Sequence, residues 1–485
     1  MTDIRIAQFR RLARALFVGG ALATASVAQS QTPPPAWDAT KYFRYDIENV
    51  VVTPTGAPST WSVKVIFSVA NPVMGGRWDI KHALPFQSSG ASLTADFGWD
   101  PATDFTNTGS ANPLLSPIVT TALGSGLAIP VQVRNLQATP IPPALPTSTA
   151  CASSAECPGV ADLTNRFWVA RTITPVAFTG PVTTGRVALE GKPVCNGVNG
   201  VSCPAGPPFA IVPVKSAAVS IALKSTVSLA AIIPDPRRAI VDIAKCQGCH
   251  DGEPHGDLLE IPRLSLHGGN RNENLALCVM CHNANQTDVV YRYLTSGTTA
   301  DPRIGGAETA IDFKTMIHSI HAGGFRKQAL VVIGFNSSVN DFSYVRFPAT
   351  LRNCTTCHID ANGKGTFELP LKAGVLGTTV NSQSTYQVPL GATRSINVNP
   401  FTHLKISPTA AVCSSCHDES EAKSHMVKTG GASFAVKQAD IGTKVKERCA
   451  GCHGPGKDKD VRKVHEIRSS GGGSASGSSS KEHDD

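Results

Sequence analysis

Five copies of one pentapeptide constrain this chain more than anything else in it: CQGCH at 246–250, CVMCH at 278–282, CTTCH at 354–358, CSSCH at 413–417 and CAGCH at 449–453. Random placement of 14 cysteines and 14 histidines in 485 residues predicts about 0.01 copies of such a motif. Two thiols three apart on one helical turn reach both vinyl groups of a haem as thioethers, and the adjacent imidazole then lies under the iron. Zinc knuckles would require the cysteine pairs in even number and have no use for a histidine after each second cysteine. Thioredoxin-like redox pairs sit singly on a strand–helix unit. The motifs therefore predict five covalently bound haem c groups. Cys246, Cys249, Cys278, Cys281, Cys354, Cys357, Cys413, Cys416, Cys449 and Cys452 would attach them, with His250, His282, His358, His417 and His453 as proximal ligands.

At about one haem per 40 residues there is too little side chain to wrap each porphyrin separately, so the haems must pack against one another. The sixth coordination position then decides function, because two protein ligands make an electron carrier and an open face makes a site for a small molecule. Outside the motifs this region offers His255, His267, His318, His321, His403, His425 and His465, seven candidates for five irons, whereas upstream of residue 235 only His82 occurs. In TMIHSIHAGGF, 315–325, His318 and His321 stand three apart on what reads as a helix, about 5–6 Å apart on one side. They cannot flank one porphyrin and must serve two haems, and Gly323-Gly324 ends the helix. Met280 lies inside a motif, and Met316 and Met426 adjoin better placed histidines, so imidazoles are expected throughout.

The N-terminus reads as a secretory signal over residues 1–28. Arg5, Arg10, Arg11 and Arg14 precede an apolar run from Ala15, and Ser26-Val27-Ala28 is a small-x-small cleavage site. The run is shorter than the ~20 residues of a membrane span, no cysteine follows it as a lipid acceptor, and no later stretch could cross a bilayer. Removing the leader's four arginines and one aspartate takes the formal net charge from +8 to +5, a mild excess that is no nucleic-acid footprint. Between 33 and 234, YFRYDIENVVV, WSVKVIFSVA, GLAIPVQV, RFWVARTI, GRVALEG and AIVPVKSAAVSIAL read as strands between turn clusters, an all-β sandwich or split barrel. The C-terminal part, 235–467, is expected to be mostly helical or irregular around the haems. Asp235 and Pro236 look like the N-cap and first position of the helix that delivers Cys246. The tail SSGGGSASGSSSKEHDD from 469 reads as flexible linker. In an exported protein Cys151, Cys157, Cys195 and Cys203 most simply pair as Cys151–Cys157 and Cys195–Cys203, one of three possible pairings.

The segments RRAIVDIAKCQGCH, LSLHGGNRNENLALCVMCHN, DFKTMIHSIHAGGF, AAVCSSCHDESEAKSHM, ERCAGCHGPG followed by VHEI, and upstream LTADFGWDPATDFTNTG resemble the outer-membrane multihaem cytochromes of the OmcA/MtrC type. That resemblance implies electron transfer toward extracellular or outer-membrane acceptors such as metal oxides, flavins or other cytochromes. It also implies His267, His318, His321, His425 and His465 as distal ligands, with His255 and His403 as spares. A short-range disulfide in a β domain is a feature of the family, at a spacing slightly different from those here. Members typically carry ten haems in two β-plus-pentahaem modules and are often lipoproteins, whereas this chain has one set of five motifs and no acceptor cysteine. Its expected place is therefore the periplasm, the cell surface, or a partner's surface. Two other readings stay open: a multihaem reductase of a small oxyanion with one open haem, and a periplasmic electron-donor subunit of a terminal reductase.

Overall fold

Trp61, Val63, Val65, Phe67 and Val69 alternate with polar neighbours, and in the computed structural model they form one face of strand β2 (Trp61–Ala70). The structure describes residues 42–105, 107, 129–139, 147–175, 181–195, 210–252, 263–294, 306–335, 338–361, 364–384, 397 and 399–467. The leader, His255, Cys203 and the tail lie outside these residues. β2 pairs antiparallel with β1 (Arg44–Pro54), from Arg44 opposite Ala70 to Pro54 opposite Trp61, with one bulge between Ile47 and Asn49.

Among the described residues the N-terminal part has nine further strands: β3 (Ser92–Trp99), β4 (Val131–Val133), β5 (Thr149–Ala150), β6 (Arg166–Ile173), β7 (Thr184–Lys192), β8 (Val194–Cys195), β9 (Ala210–Ile211), β10 (Ala217–Ala222) and β11 (Ile232–Ile233). One sheet runs β1-β2-β6-β5 and the other β11-β10-β7-β3-β4, while β8 and β9 form a separate ribbon. Val50, Val52, Val63, Val65 and Phe67 from the first sheet and Leu93, Ala95, Phe97, Trp99, Val187 and Leu189 from the second are all buried. Each such large side chain contributes about 1.5–3 kcal/mol. Near Ser228 and Ala231 the chain hydrogen-bonds to Val52 and Val50 of β1, which ties the second sheet to the edge of the first. The loop closed by the Cys151–Cys157 disulfide covers the outer face of the first sheet, packing on Val51 and Ile66. β3 shows the same alternation, Leu93, Ala95, Phe97 and Trp99 against Thr94, Asp96 and Gly98, although it is not among the segments read as strands above.

From residue 235 onward regular structure is brief. After α1 (Leu84–Gln87) the helices are α2 (Ile243–Gln247), α3 (Leu275–Cys281), α4 (Val289–Leu294), α5 (Phe313–His321), α6 (Pro408–Cys413), α7 (Ser420–Lys428), α8 (Ala450–His453) and α9 (Val461–Val464). Between them lie short ribbons such as β12 (Ser265–Leu266) with β13 (Arg271–Asn272). The chain as a whole is thus mostly β, with few and short helices. Asp235 does not cap α2 as its sequence suggested. Asp242 does, its Oδ1 accepting from Ala244 N at 3.0 Å, while Asp235 pairs with the buried guanidinium of Arg186.

The two parts are joined by a dense seam, and residues 39–485 form one compact unit. Leu277, Val279 and Met280 of α3 pack with Phe105 and Ala188. Asn107 donates to Met280 O at 2.8 Å, Asn285 donates to Phe105 O at 2.9 Å, and Asn274 donates to Ser216 O at 2.7 Å. Arg237 and Arg238 converge on Asp104, whose left-handed backbone (φ 57°) adjoins that of Phe105 (φ 60°). Gly98 is needed for this approach: a Cβ there would sit 3.1 Å from Met280 Cε.

Candidate functional site

Each motif lies on a short turn, and the turns of the first, second and fourth are capped by side chains. The N-cap of α3 is Asn274, accepting from Ala276 N and Leu277 N at 2.9 and 3.3 Å, which sets Cys278 and Cys281 one turn apart ahead of His282. The first turn of α6, ahead of Cys413, is capped from a distance: Glu447 accepts from Thr409 N (2.8 Å), Ala410 N (2.9 Å) and Ser407 Oγ (2.7 Å). Glu447 is two residues before Cys449, so one carboxylate ties the fourth motif to the fifth.

Across this scaffold every motif histidine faces one histidine from outside the motifs. Ring centroids are 6.1 Å apart for His250 and His321, 5.9 Å for His282 and His267, and 5.9 Å for His358 and His318. They are 6.1 Å apart for His417 and His465, and 6.2 Å for His453 and His425. A metal–imidazole bond is about 2 Å and the ring centre lies about 1 Å behind the nitrogen, so two rings sharing one iron should have centroids about 6 Å apart. Among the described residues no group of three or more His, Cys, Asp or Glu converges as a metal site. Two imidazoles are too few for tetrahedral zinc, and they match the two axial positions that a porphyrin leaves to its protein. The residues therefore fit haem, with a cysteine pair beside each imidazole pair.

Ring orientation is set from behind. The Nδ1 of His282 donates to Ile311 O (3.0 Å), that of His321 to Ile317 O (2.9 Å), that of His453 to Lys459 O (2.9 Å) and that of His465 to Val461 O (2.9 Å). His358 Nδ1 donates to Thr366 Oγ1 at 3.2 Å. Bonding Nδ1 in this way leaves Nε2 as the free lone pair, the arrangement of metal-ligating histidines. Burial, with Arg271 nearby, pushes His267 down to about 3, and burial beside His318 pushes His358 down to about 4, so both rings are neutral acceptors. His403 differs: its Nε2 is engaged by Asn397 O at 3.0 Å and no second imidazole faces it. His318 and His321, neighbours on α5, face different motifs.

The sites are also close to one another. Asp242 N donates to Cys357 O at 3.2 Å, and Lys245 Nζ donates to Thr355 O (2.9 Å) and His358 O (2.6 Å). α5 carries the partners of the first and third motif histidines, Ser319 of α5 donates to Ser415 O within the fourth motif at 3.3 Å, and Glu447 joins the fourth to the fifth. These contacts put the motifs in the order first, third, fourth, fifth. The second lies apart, against the sandwich, where His282 O accepts from Phe313 N at the start of α5 (3.0 Å). Reading along the chain could not find Glu447, Arg462 or Asp104 as supports of these sites, since their partners are 37 residues or more away: Arg462 binds Asp360 at 3.0 Å and Glu368 at 2.7 Å.

Residues 238–466 match the family model of MtrC/MtrF-like outer-membrane cytochromes, domains II/IV. These residues, a little under half of the chain, are what is similar to that family. Solved structures similar to it include MtrC from Shewanella baltica, at 16% identity and TM-score 0.45, covering 86% of this chain and 52% of that one. The outer-membrane decahaem cytochrome OmcA matches at 17% identity and TM-score 0.42, over 88% of this chain and 49% of that one. The chain thus spans about half the length of each. No curated protein matches. The family so described is one of outer-membrane cytochromes. No described helix is long and apolar enough to cross a membrane.

Proposed function

We propose that the chain is a pentahaem c-type cytochrome that passes electrons between redox partners, with a β-rich part at 33–234 and a haem part at 235–467. The observation that carries this is the pairing of each motif histidine with one outside imidazole at 5.9–6.2 Å. The histidine pairs that would hold haem are then His250/His321, His282/His267, His358/His318, His417/His465 and His453/His425. A haem bound at such a pair supplies a reversible one-electron couple, held low by two imidazoles relative to a His/Met pair. Low potentials suit outward transfer to flavins, metal oxides or another cytochrome, and place the chain among electron carriers rather than substrate-specific enzymes. α5 pins the first and third sites to one rigid element, and Glu447 does the same for the fourth and fifth, so neighbouring sites keep fixed separations. The second site branches from this line beside the sandwich and is the place where the β part can influence a redox centre.

Electron paramagnetic resonance of the air-oxidised, haem-loaded chain tests the reading. Five low-spin signals are expected, and His321→Ala should convert about one fifth of them to high spin. A high-spin haem in the unaltered protein would give one iron an open face and put the oxyanion-reductase reading ahead.

A further inference from the structure

The second sheet meets the second site through its outer face, and that face is charged. Thr94, Asp96 and Gly98 of β3 share it, since side chains alternate along a strand. Asp96 stands opposite Ala188 of β7 and Gln132 of β4, and Glu190 lies two residues along β7 on the same face. Alternation alone would turn these residues to water. Instead α3 covers them, and Asp96 is 0% and Glu190 5% exposed. Arg271 of β13 grips Glu190 with two nitrogens, Nη2 at 3.0 Å from Oε1. Asp96 receives one hydrogen bond, from Gln132 at 2.7 Å to Oδ1, and its Oδ2 has no partner among the described residues. Arg134, Tyr45 and Tyr291 complete the groups facing this cluster. Cys281, one residue before His282, feels the charges of Asp96 and Glu190 directly.

Two carboxylates thus share a buried interface in which Arg271 pairs with Glu190 and Arg134 stands further off, and Asp96, which makes no ion pair among the described residues, lies opposite Ala188 on the face that α3 packs against. An electron delivered there meets no solvent to screen it, and a proton is the compensating charge within reach. We propose that Asp96 is a redox-linked proton site: it takes up one proton from water as one electron arrives at the iron between His267 and His282, and releases it when the electron leaves. This rests on the axial pairing above. The electron comes from a reduced neighbouring c-type haem and takes Fe(III) to Fe(II). The proton forms the O–H bond of the Asp96 carboxylic acid, so the site's net charge does not change. Burial and the adjacent Glu190 push the Asp96 carboxyl up to about 8, which puts its titration where a change of charge at the iron can tip it.

The test is spectroelectrochemical titration of the haem-loaded full chain between about pH 6 and about pH 9. The component belonging to this site is the one that His267→Met displaces upward. In the unaltered protein it should fall with pH at a slope approaching about 59 mV per unit, the one-electron equivalent of tenfold in proton activity. Asp96→Asn should flatten that slope while the haem stays low-spin. A slope unchanged in Asp96→Asn overturns the proposal. Should that variant not accumulate, reduced-minus-oxidised infrared spectra of the unaltered protein decide. A carboxylic-acid C=O band that grows on reduction and shifts in heavy water supports the proposal, and no carboxyl change overturns it. Five unchanged potentials in His267→Met would overturn the axial pairing itself, and the proposal with it.

Discussion

The two halves of this molecule are held together by different materials. The sandwich has a conventional interior, with Phe43, Phe67, Phe86, Phe97, Trp99 and Phe167 all buried. In the region from 235 onward no aromatic side chain is buried among the described residues. Its buried groups are in good part polar, including Asn272, Asn283, Asn285, Asp288, Arg292, Asp312, Thr378, Lys405 and Ser407. The difference teaches that the β part can build its core from its own chain, whereas the part from 235 onward spends its side chains on fixing the facing histidines and one another.

The sharpest way to break this comparison is to make the full chain without haem. Residues 235–467 should then lose fixed structure while the sandwich strands persist, as expected when a bound group supplies the folding energy. Hydrogen exchange read by peptide would show it: fast throughout the haem region, slow in β2, β3 and β7. Uniform protection across both halves would sink the distinction. Phe97→Ala should next do the opposite, costing about 3–5 kcal/mol in urea unfolding of the sandwich and leaving the five haem spectra in place. Their loss would mean that the seam through Gly98 and Met280 carries more than packing.

Lys405 sharpens the contrast with a smaller effect. Its ammonium is 0% exposed and meets four neutral acceptors: Asn285 Oδ1 and Thr379 Oγ1 at 2.8 Å, Ala284 O at 3.2 Å and Gly377 O at 3.4 Å. Burial, with the charge of Lys314, pushes it down to about 7 from 10.5. Between these values the unfolded chain holds the proton and the folded one does not, so stability rises with pH through that window. Lys405→Met should cost about 1–3 kcal/mol through orphaned acceptors, more at about pH 9 than at about pH 6. Denaturation curves at the two pH values check this, and equal losses would place the lysine's charge elsewhere.

Much of the sandwich is legible along the chain. WSVKVIFSVA and RFWVARTI coincide with β2 and β6, because a half-buried strand writes its pattern in adjacent residues. AIVPVKSAAVSIAL splits into β9 and β10, and β3 carries a readable alternation, but that its polar face is buried was invisible because α3, which packs there, lies far along the chain. Asp235 shows the same blindness: beside Pro236 it has every local mark of a cap, yet Arg186, 49 residues away, claims it.

What the sequence by itself determined is the chemistry written in contiguous residues: five thiol pairs with their histidines, the i,i+3 placement of His318 and His321 that sends them to different irons, and the alternation of the sandwich core. What only the tertiary structure decided is the partner of each imidazole, the line of the sites, and the burial of Asp96 under α3. Local spacing obeys helix and strand geometry and can be counted in the sequence. Which turn comes to rest 6 Å from which other is set by packing between segments tens of residues apart, and no short pattern encodes that.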